Sequence, residues 1–231
     1  MLREWVDLQP YNTLALHARA ALFCETNSFS ELQAALVFAK EKAASVLPLG
    51  EGSNIVLTQD YLGMVLRYRD ESIKVEAESD TCVQVCVGAG MRWHDWVEKS
   101  LAEGWYGLEN LALIPGTVGA APVQNIGAYG AEVANFIVSV RGVYLDSGEC
   151  FELHNEACHF AYRNSVFKEE LAGKTIITAV VFQMHKTENI RSHYAALHEY
   201  LCEHHAEALA SDTLTAVMIK EAVCAVRKSR L

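Results

Sequence analysis

Read only as hydrophobic and polar positions, the chain changes period several times, and each change predicts an element. Ser28-Phe29-Ser30-Glu31 has the spacing of a capping box, and Leu32, Ala35, Leu36 and Ala39 then recur at helical intervals. An amphipathic helix is expected there. Val46-Leu47-Pro48-Leu49 is a short apolar run, broken by Gly50-Glu51-Gly52-Ser53-Asn54 and resumed at Ile55-Val56-Leu57, which reads as strand, glycine loop, strand. Residues 64–68, 72–78 and 81–87 alternate apolar and polar side chains, most clearly at Val83, Val85 and Val87, as half-buried strands do.

Helical spacing returns at Trp93, Trp96, Val97 and Leu101, with Gly104 placed to end that helix in a left-handed cap. Residues 107–130 then hold seven glycines or prolines and few charges. The segment is too irregular for a helix and too apolar for an idle surface loop, so it is expected to wrap something. Residues 138–145 and 150–153 flank Asp146-Ser147-Gly148-Glu149 as a hairpin, residues 174–184 form a β-branched run typical of a buried strand, and residues 194–228 read as helical. No repeat of 20–50 residues is visible.

Length and composition narrow this picture. A chain of 231 residues makes one large or two modest domains, and 51% hydrophobic with 21% charged residues is globular rather than disordered or fibrous. The formal charge of -10, with no basic run, argues against nucleic acid as a partner. An acidic protein can hold a phosphorylated small molecule only locally, with backbone N–H groups or a few arginines. No stretch approaches the roughly 20 apolar residues of a membrane span. The start, Met1-Leu2-Arg3-Glu4-Trp5, lacks the apolar core of a secretion signal, so no membrane association and a cytoplasmic location are expected. Seven scattered cysteines without C-x-x-C pairs read as reduced core residues, Cys82 and Cys86 sharing one face of a strand. His198, His204 and His205 are poorly spaced for a shared ion, and no metal site is expected.

Three segments could carry chemistry. In Gly50-Glu51-Gly52-Ser53-Asn54 the glycines permit positive φ and let successive N–H groups converge on one anion, and Ser53 and Asn54 add side-chain hydrogen bonds; a tight turn between strands is the alternative. It is not the G-x-G-x-x-G of a dinucleotide fold, because a strand rather than a helix is expected after it. In the long segment, small residues let the backbone approach a flat aromatic ligand and its pyrophosphate, with Gln124, Asn125 and Tyr129 as polar ends. Phe160-Ala161-Tyr162-Arg163-Asn164-Ser165-Val166-Phe167-Lys168 is a cationic and aromatic cluster, but alone it is a weak signal, because an arginine between aromatic residues is more often a surface ion-pair partner than a catalyst.

Taken in order, Asn12-Thr13, the Leu49-to-Asn54 loop, Gly88-Ala89-Gly90, the long glycine segment and Tyr162-Arg163-Asn164-Ser165-Val166-Phe167-Lys168 resemble the UDP-N-acetylenolpyruvoylglucosamine reductase family from about residue 8 onward. The resemblance implies an α+β, two-subdomain FAD-binding fold of the vanillyl-alcohol oxidase (PCMH-type) superfamily. Residues 1–70 and 71–195 would be the subdomains, and 196–231 a helical segment leading toward a substrate domain that the chain lacks. It implies FAD as cofactor, reduced by NADPH, as hydride source for a UDP-sugar enolpyruvyl ether in peptidoglycan precursor synthesis, in a monomer.

By the same resemblance FAD is held by Gly50, Glu51, Gly52, Ser53, Asn54, Ile55, Ile114, Pro115, Gly116, Thr117, Gly119, Ala120, Ala121, Pro122, Asn125, Gly127 and Tyr129. Substrate falls to Tyr162, Arg163 and Tyr194, with Arg163 the catalytic residue at the substrate carboxylate, where a fixed guanidinium offsets developing charge. The family's proton-donor serine and catalytic glutamate lie in its third domain. Arg227-Lys228-Ser229-Arg230-Leu231 belongs to the link before that domain, and Ser229 has no match to the donor. A degenerate FAD-binding module and a related FAD oxidase are the alternative readings.

Overall fold

The computed structural model describes residues 2–229. Its first sheet takes β1 (Leu2–Asp7), β2 (Arg19–Thr26), β3 (Val46–Pro48) and β4 (Tyr61–Tyr68) in the order β1-β2-β4-β3. β1 runs antiparallel to β2, whereas β2 and β3 both run parallel to β4. Helix α1 (Phe29–Glu41) joins β2 to β3 and starts at Ser28, whose hydroxyl accepts the Glu31 N–H. The Glu31 carboxylate reaches back to the N–H of Asn27, one residue before the reciprocal partner of a strict capping box.

The expected strand at 55–57 does not form. Because β3 and β4 are parallel neighbours, the intervening chain must travel back along the sheet instead of turning into a hairpin. Ile55 and Leu57 are apolar because they pack on the core of Leu8, Ala20, Phe23, Leu49 and Val65, while Val56 points outward. Their alternation reports burial without pairing. On the other face of the sheet, the α1 stripe of Leu32, Ala35, Leu36 and Ala39 packs with Cys24, Met64 and Leu66, and also with Val143 and Ile176 of the second sheet.

That second sheet holds β5 (Ile73–Glu78), β6 (Cys82–Gly88), β9 (Ile137–Tyr144), β10 (Cys150–His154) and β11 (Thr175–His185) in the order β10-β9-β11-β6-β5, antiparallel throughout. Between β6 and β9 come helix α2 (Trp93–Ala102) and a two-residue ladder of β7 (Gly127–Ala128) with β8 (Ala131–Glu132). Gly104, at φ +72°, ends α2 as expected: its N–H reaches Leu101 and the next N–H reaches Ser100, the paired bonds of a left-handed cap. Ser100, not Leu101, takes the fully buried place on that helix.

Val83, Val85 and Val87 of β6 with Val180, Phe182 and Met184 of β11 face one core shared with Trp93, Trp96 and Val97. The terminal helices α3 (Ala195–His204), α4 (Ala206–Ala210) and α5 (Ala216–Lys228) come next, and Leu197, Leu201, Ile219, Ala222 and Val223 belong to that same core. On the opposite face, Arg141 spans the sheet, meeting Glu76 of β5 at 2.6 Å and Glu152 of β10 at 3.0 Å, with the Ser139 hydroxyl donating to Glu152. Among the described residues, no helix is long and apolar enough to cross a membrane.

Candidate functional site

Residues 107–130 do not fold outward as a loop. They lie along the mouth of the second core, pinned strand-like to the turn after β6: Trp93 donates its N–H to Gly116, Val118 to Met91, and Gly119 to Ala89. Small residues are required for this. A Cβ on Gly119 would come to 2.6 Å from the Cβ of Ala89, and the Trp93 indole N–H crosses inside to the Leu111 carbonyl at 2.8 Å.

Facing that segment is the glycine loop that leaves β3. Gly52 stands at φ +67°, and a Cβ there would collide with the Tyr11 carbonyl and the Asn12 backbone. Only glycine fits. The Gly52 carbonyl is held by the Thr13 N–H, and the Gly50 carbonyl by Nε of the buried Arg67, which also pairs with Glu25 at 3.0 Å and lies over the Tyr11 ring. Among the described residues, the backbone N–H groups of residues 50–54 donate to no other group of the protein. Five consecutive unpaired donors in a glycine-rich bend suit an anion.

Between the two walls runs one cleft made of two connected hollows of about 250 and about 280 Å³ that share Pro48, Leu49, Gly50, Thr117, Ala120 and Val123. Gly50, Glu51, Gly52, Ser53, Asn54, Ile55, Pro115, Gly116, Thr117, Ala120 and Ala121 line the first hollow, and Gly119 the second. The walls approach closely at two glycines: a Cβ on Gly50 would stand 3.1 Å from the Thr117 hydroxyl, and one on Gly116 3.3 Å from the Ser53 hydroxyl. Glu51 ties the walls together, its carboxylate accepting the Gly116 N–H at 3.0 Å and pairing with Arg92 Nε at 2.8 Å. Asn54 reaches Gln124 across the mouth at 3.4 Å.

The remaining expected residues lie elsewhere. Ile114 packs against the core and Pro122 is buried, neither lining the cleft. Asn125 is buried with its amide committed: it donates to Glu132 and to the Ala161 carbonyl and accepts the Ala134 N–H. Its side chain braces the turn at 161–164. Gly127 and Tyr129 join Arg163 and Tyr194 in a second cluster beyond the cleft. There Arg163 Nη2 donates to the Gly127 carbonyl at 2.7 Å, and the Tyr129 and Tyr194 rings meet edge-to-face at 5.3 Å. Arg163 occupies the left-handed region at φ +54°, a conformation that costs energy outside glycine and concentrates at functional positions. Tyr162 beside it is 82% exposed. Ser165 fastens this turn to the long segment by donating to the Val123 carbonyl at 2.6 Å.

Several residues here escape a reading by period. Arg67 is a charge inside a buried strand, and that anomaly was its signal. Arg92 carries no sequence mark. Glu109 is buried, and desolvation pushes its carboxyl above the usual range although the Gly107 N–H at 2.8 Å opposes this; it holds the bend at Gly107, φ +131°. Asn110 links that bend onward to the carbonyls of Tyr129 and Arg191.

The two-sheet α+β architecture with a glycine-lined cleft between its halves defines a flavin-nucleotide-binding protein: the family model described as an FAD binding domain matches residues 20–154, and the chain belongs to that family. Within it, the chain is 44% identical over 230 residues to the UDP-N-acetylenolpyruvoylglucosamine reductase of Chromobacterium violaceum, covering 99% of the chain and 66% of the relative. It is 44% identical over 232 residues to the reductase of that name from Neisseria meningitidis serogroup B, covering 65% of the relative. The chain thus spans 65–66% of the length of these relatives. The crystal structure of the Thermus caldophilus reductase superposes with a TM-score of 0.68 at 23% identity, over 100% of this chain and 70% of that one. A solvent-stable cholesterol oxidase superposes at 0.55 and 16% identity, over 73% of this chain and 36% of that one. These likenesses show the shared fold, that of the vanillyl-alcohol oxidase superfamily.

Proposed function

We propose that this chain is the FAD-binding portion of a UDP-N-acetylenolpyruvoylglucosamine reductase, with NADPH as reductant and a UDP-sugar enolpyruvyl ether as substrate. The observation that carries the FAD part is the run of unpaired N–H groups at 50–54, in a loop that lines the same hollow as Gly116 and Thr117. It is a local anion cradle on a chain of charge -10. Identity to reductases along the whole chain supports the choice of reaction.

In this reading the glycine loop receives the pyrophosphate, the Ser53 and Thr117 hydroxyls add donors, and the apolar walls at Pro48, Leu49 and Val123 exclude water. Bound there, FAD supplies a ring that takes and releases hydride. Arg163 is oriented by the Gly127 carbonyl through one N–H and keeps further donors for a substrate carboxylate, beside which it offsets negative charge. Tyr129 and Tyr194 form an aromatic wall next to it, and Tyr162 gives an exposed face for the sugar nucleotide. We assign the proton donor and the catalytic glutamate to the third of the relatives' length with which this chain does not align. Residues 1–70 and 71–195 are read as the two subdomains, supported by sheets that use residues 2–68 and 73–185, with 196–231 as the segment after the second, helical as far as Lys228 and lying outside the described residues at 230–231.

An absorbance spectrum of the purified chain, followed by anaerobic NADPH addition with and without UDP-N-acetylglucosamine enolpyruvate, tests this. Flavin bands near one per chain are expected, bleached by NADPH. A chain that stays colourless after incubation with FAD would overturn the cofactor assignment, and a bound flavin that NADPH does not bleach would overturn the reductant.

A further inference from the structure

Leu113 stands two residues ahead of Pro115-Gly116-Thr117, the stretch that supplies one wall of the cleft. Its φ is +58°, in the left-handed region that L residues other than Asn and Asp seldom occupy. Such a conformation persists only where the surroundings over-determine it. Here both backbone polar groups of the strained residue are taken by side chains from separate helices. The Leu113 N–H donates to Nδ1 of His94 on α2 at 3.2 Å, and the Leu113 carbonyl accepts from Nε of Arg227 on α5 at 3.2 Å. Glu98 lies 3.8 Å from the other nitrogen of His94 and is met in turn by Lys220 of α5 at 3.6 Å, so the two helices are also joined by charge.

The two residues after Leu113 transmit its geometry. Ile114 precedes a proline, which disfavours the helical region for it, and Pro115 has a fixed φ of its own. The direction in which the chain leaves Leu113 therefore sets where Gly116 and Thr117 stand against the glycine loop. We infer that Arg227, together with His94, is a positioning residue: it locks the left-handed turn at Leu113 and so aims the Pro115-Gly116-Thr117 wall at the cofactor. Helix α5 thereby governs cofactor affinity from 114 residues away in sequence. This rests on the reading that the cleft takes FAD.

The test is a cycle of Arg227→Met, Leu113→Gly and the double variant in the full chain, read by FAD titration and by amide hydrogen exchange over residues 112–119 in the FAD-free protein. R227M is expected to weaken FAD binding roughly tenfold, the size of one lost hydrogen bond to a charged group, and to speed exchange across that stretch. Because glycine adopts the left-handed conformation without a Cβ penalty, L113G in the R227M background should restore most of both. Wild-type affinity and exchange in folded R227M would overturn the inference, and so would a loss that L113G does not rescue, since Arg227 would then act on the ligand or on helix packing. Should R227M fail to fold, Arg227→Gln, which keeps an N–H donor, is expected to give a smaller loss rescued in the same way. If the wild-type chain binds no FAD, the cofactor reading falls, and the exchange measurement alone decides the positioning role.

Discussion

The Glu51 carboxylate meets the Arg92 guanidinium at 2.8 Å and, with its other oxygen, takes the Gly116 N–H at 3.0 Å, so one side chain of the glycine loop grips two points of the opposite wall. Arg92 is well exposed, so the ion pair itself contributes little. The bond to the backbone N–H is the larger part. Glu51→Gln, whose amide oxygen still accepts from Gly116, should bind FAD within about threefold of wild type. Glu51→Ala should lose roughly five- to thirtyfold, the equivalent of about 1–2 kcal/mol for a lost hydrogen bond. Isothermal titration with FAD distinguishes the two, and equal losses would show that the charge, not the strap, matters.

Two glycines with similar backbone angles should respond very differently to alanine. Gly52 (φ +67°) has no room for a Cβ against Tyr11 and Asn12, whereas Gly148 (φ +76°), in the β9–β10 turn, has open space around it. G148A should cost only about 1–2 kcal/mol, the left-handed penalty, and leave FAD affinity unchanged. G52A must also displace the 11–12 backbone and should abolish FAD binding; urea unfolding and titration of both variants check this.

Much of the fold was legible because its elements keep clean periods: α1, α2, β6, β11 and the β9–β10 hairpin fall within a residue or two of expectation. The failure at Ile55-Val56-Leu57 has one cause. Alternation reports which side chains are buried, and a strand is only one of the ways to bury every second residue; the parallel pairing of β3 with β4 is a non-local fact that no local pattern holds. The cleft was legible for the same reason in reverse. Glycines at 50, 52, 116 and 119 are placed by close approaches that leave a mark in the sequence, while the partners of Asn125 and Glu51 lie on other elements, so their bracing roles emerge only from coordinates.

The two buried tryptophans of α2 should not be equivalent. The Trp93 indole donates to the Leu111 carbonyl, but the buried Nε1 of Trp96 has no acceptor among the described residues. Both Trp→Phe changes lose packing volume, and only W93F also strands a buried carbonyl. W93F should therefore be less stable than W96F by about 1–2 kcal/mol in urea unfolding.

The charged network on the outer face of the second sheet predicts acid sensitivity. The Arg141 hydrogen bond holds the Glu76 carboxyl below its ordinary value of 4.5, and the Ser139 hydroxyl, then Arg141, does the same for Glu152. A carboxyl lowered in the folded state contributes stability that is present above its unfolded pKa and disappears as pH falls through the folded one. Arg141→Met should lower Tm at pH 6–7, and the gap to wild type should close as pH drops below about 4.5 toward 3, as those two carboxyls protonate. A gap that stays constant down to pH 3 would show that Arg141 acts by packing alone.

The α3 and α5 side chains sit in the same core as β6 and β11, and α1 packs on Val143 and Ile176. During synthesis, the α1 side of the first sheet is completed only when β9 and β11 have been made, and the core of the second sheet only when α3 and α5 have, whereas the cluster of Leu8, Ala20, Phe23, Leu49 and Val65 closes from the first 65 residues alone. A chain arrested between β11 and α5 is therefore expected to leave the apolar face of its second core uncovered and to be prone to association.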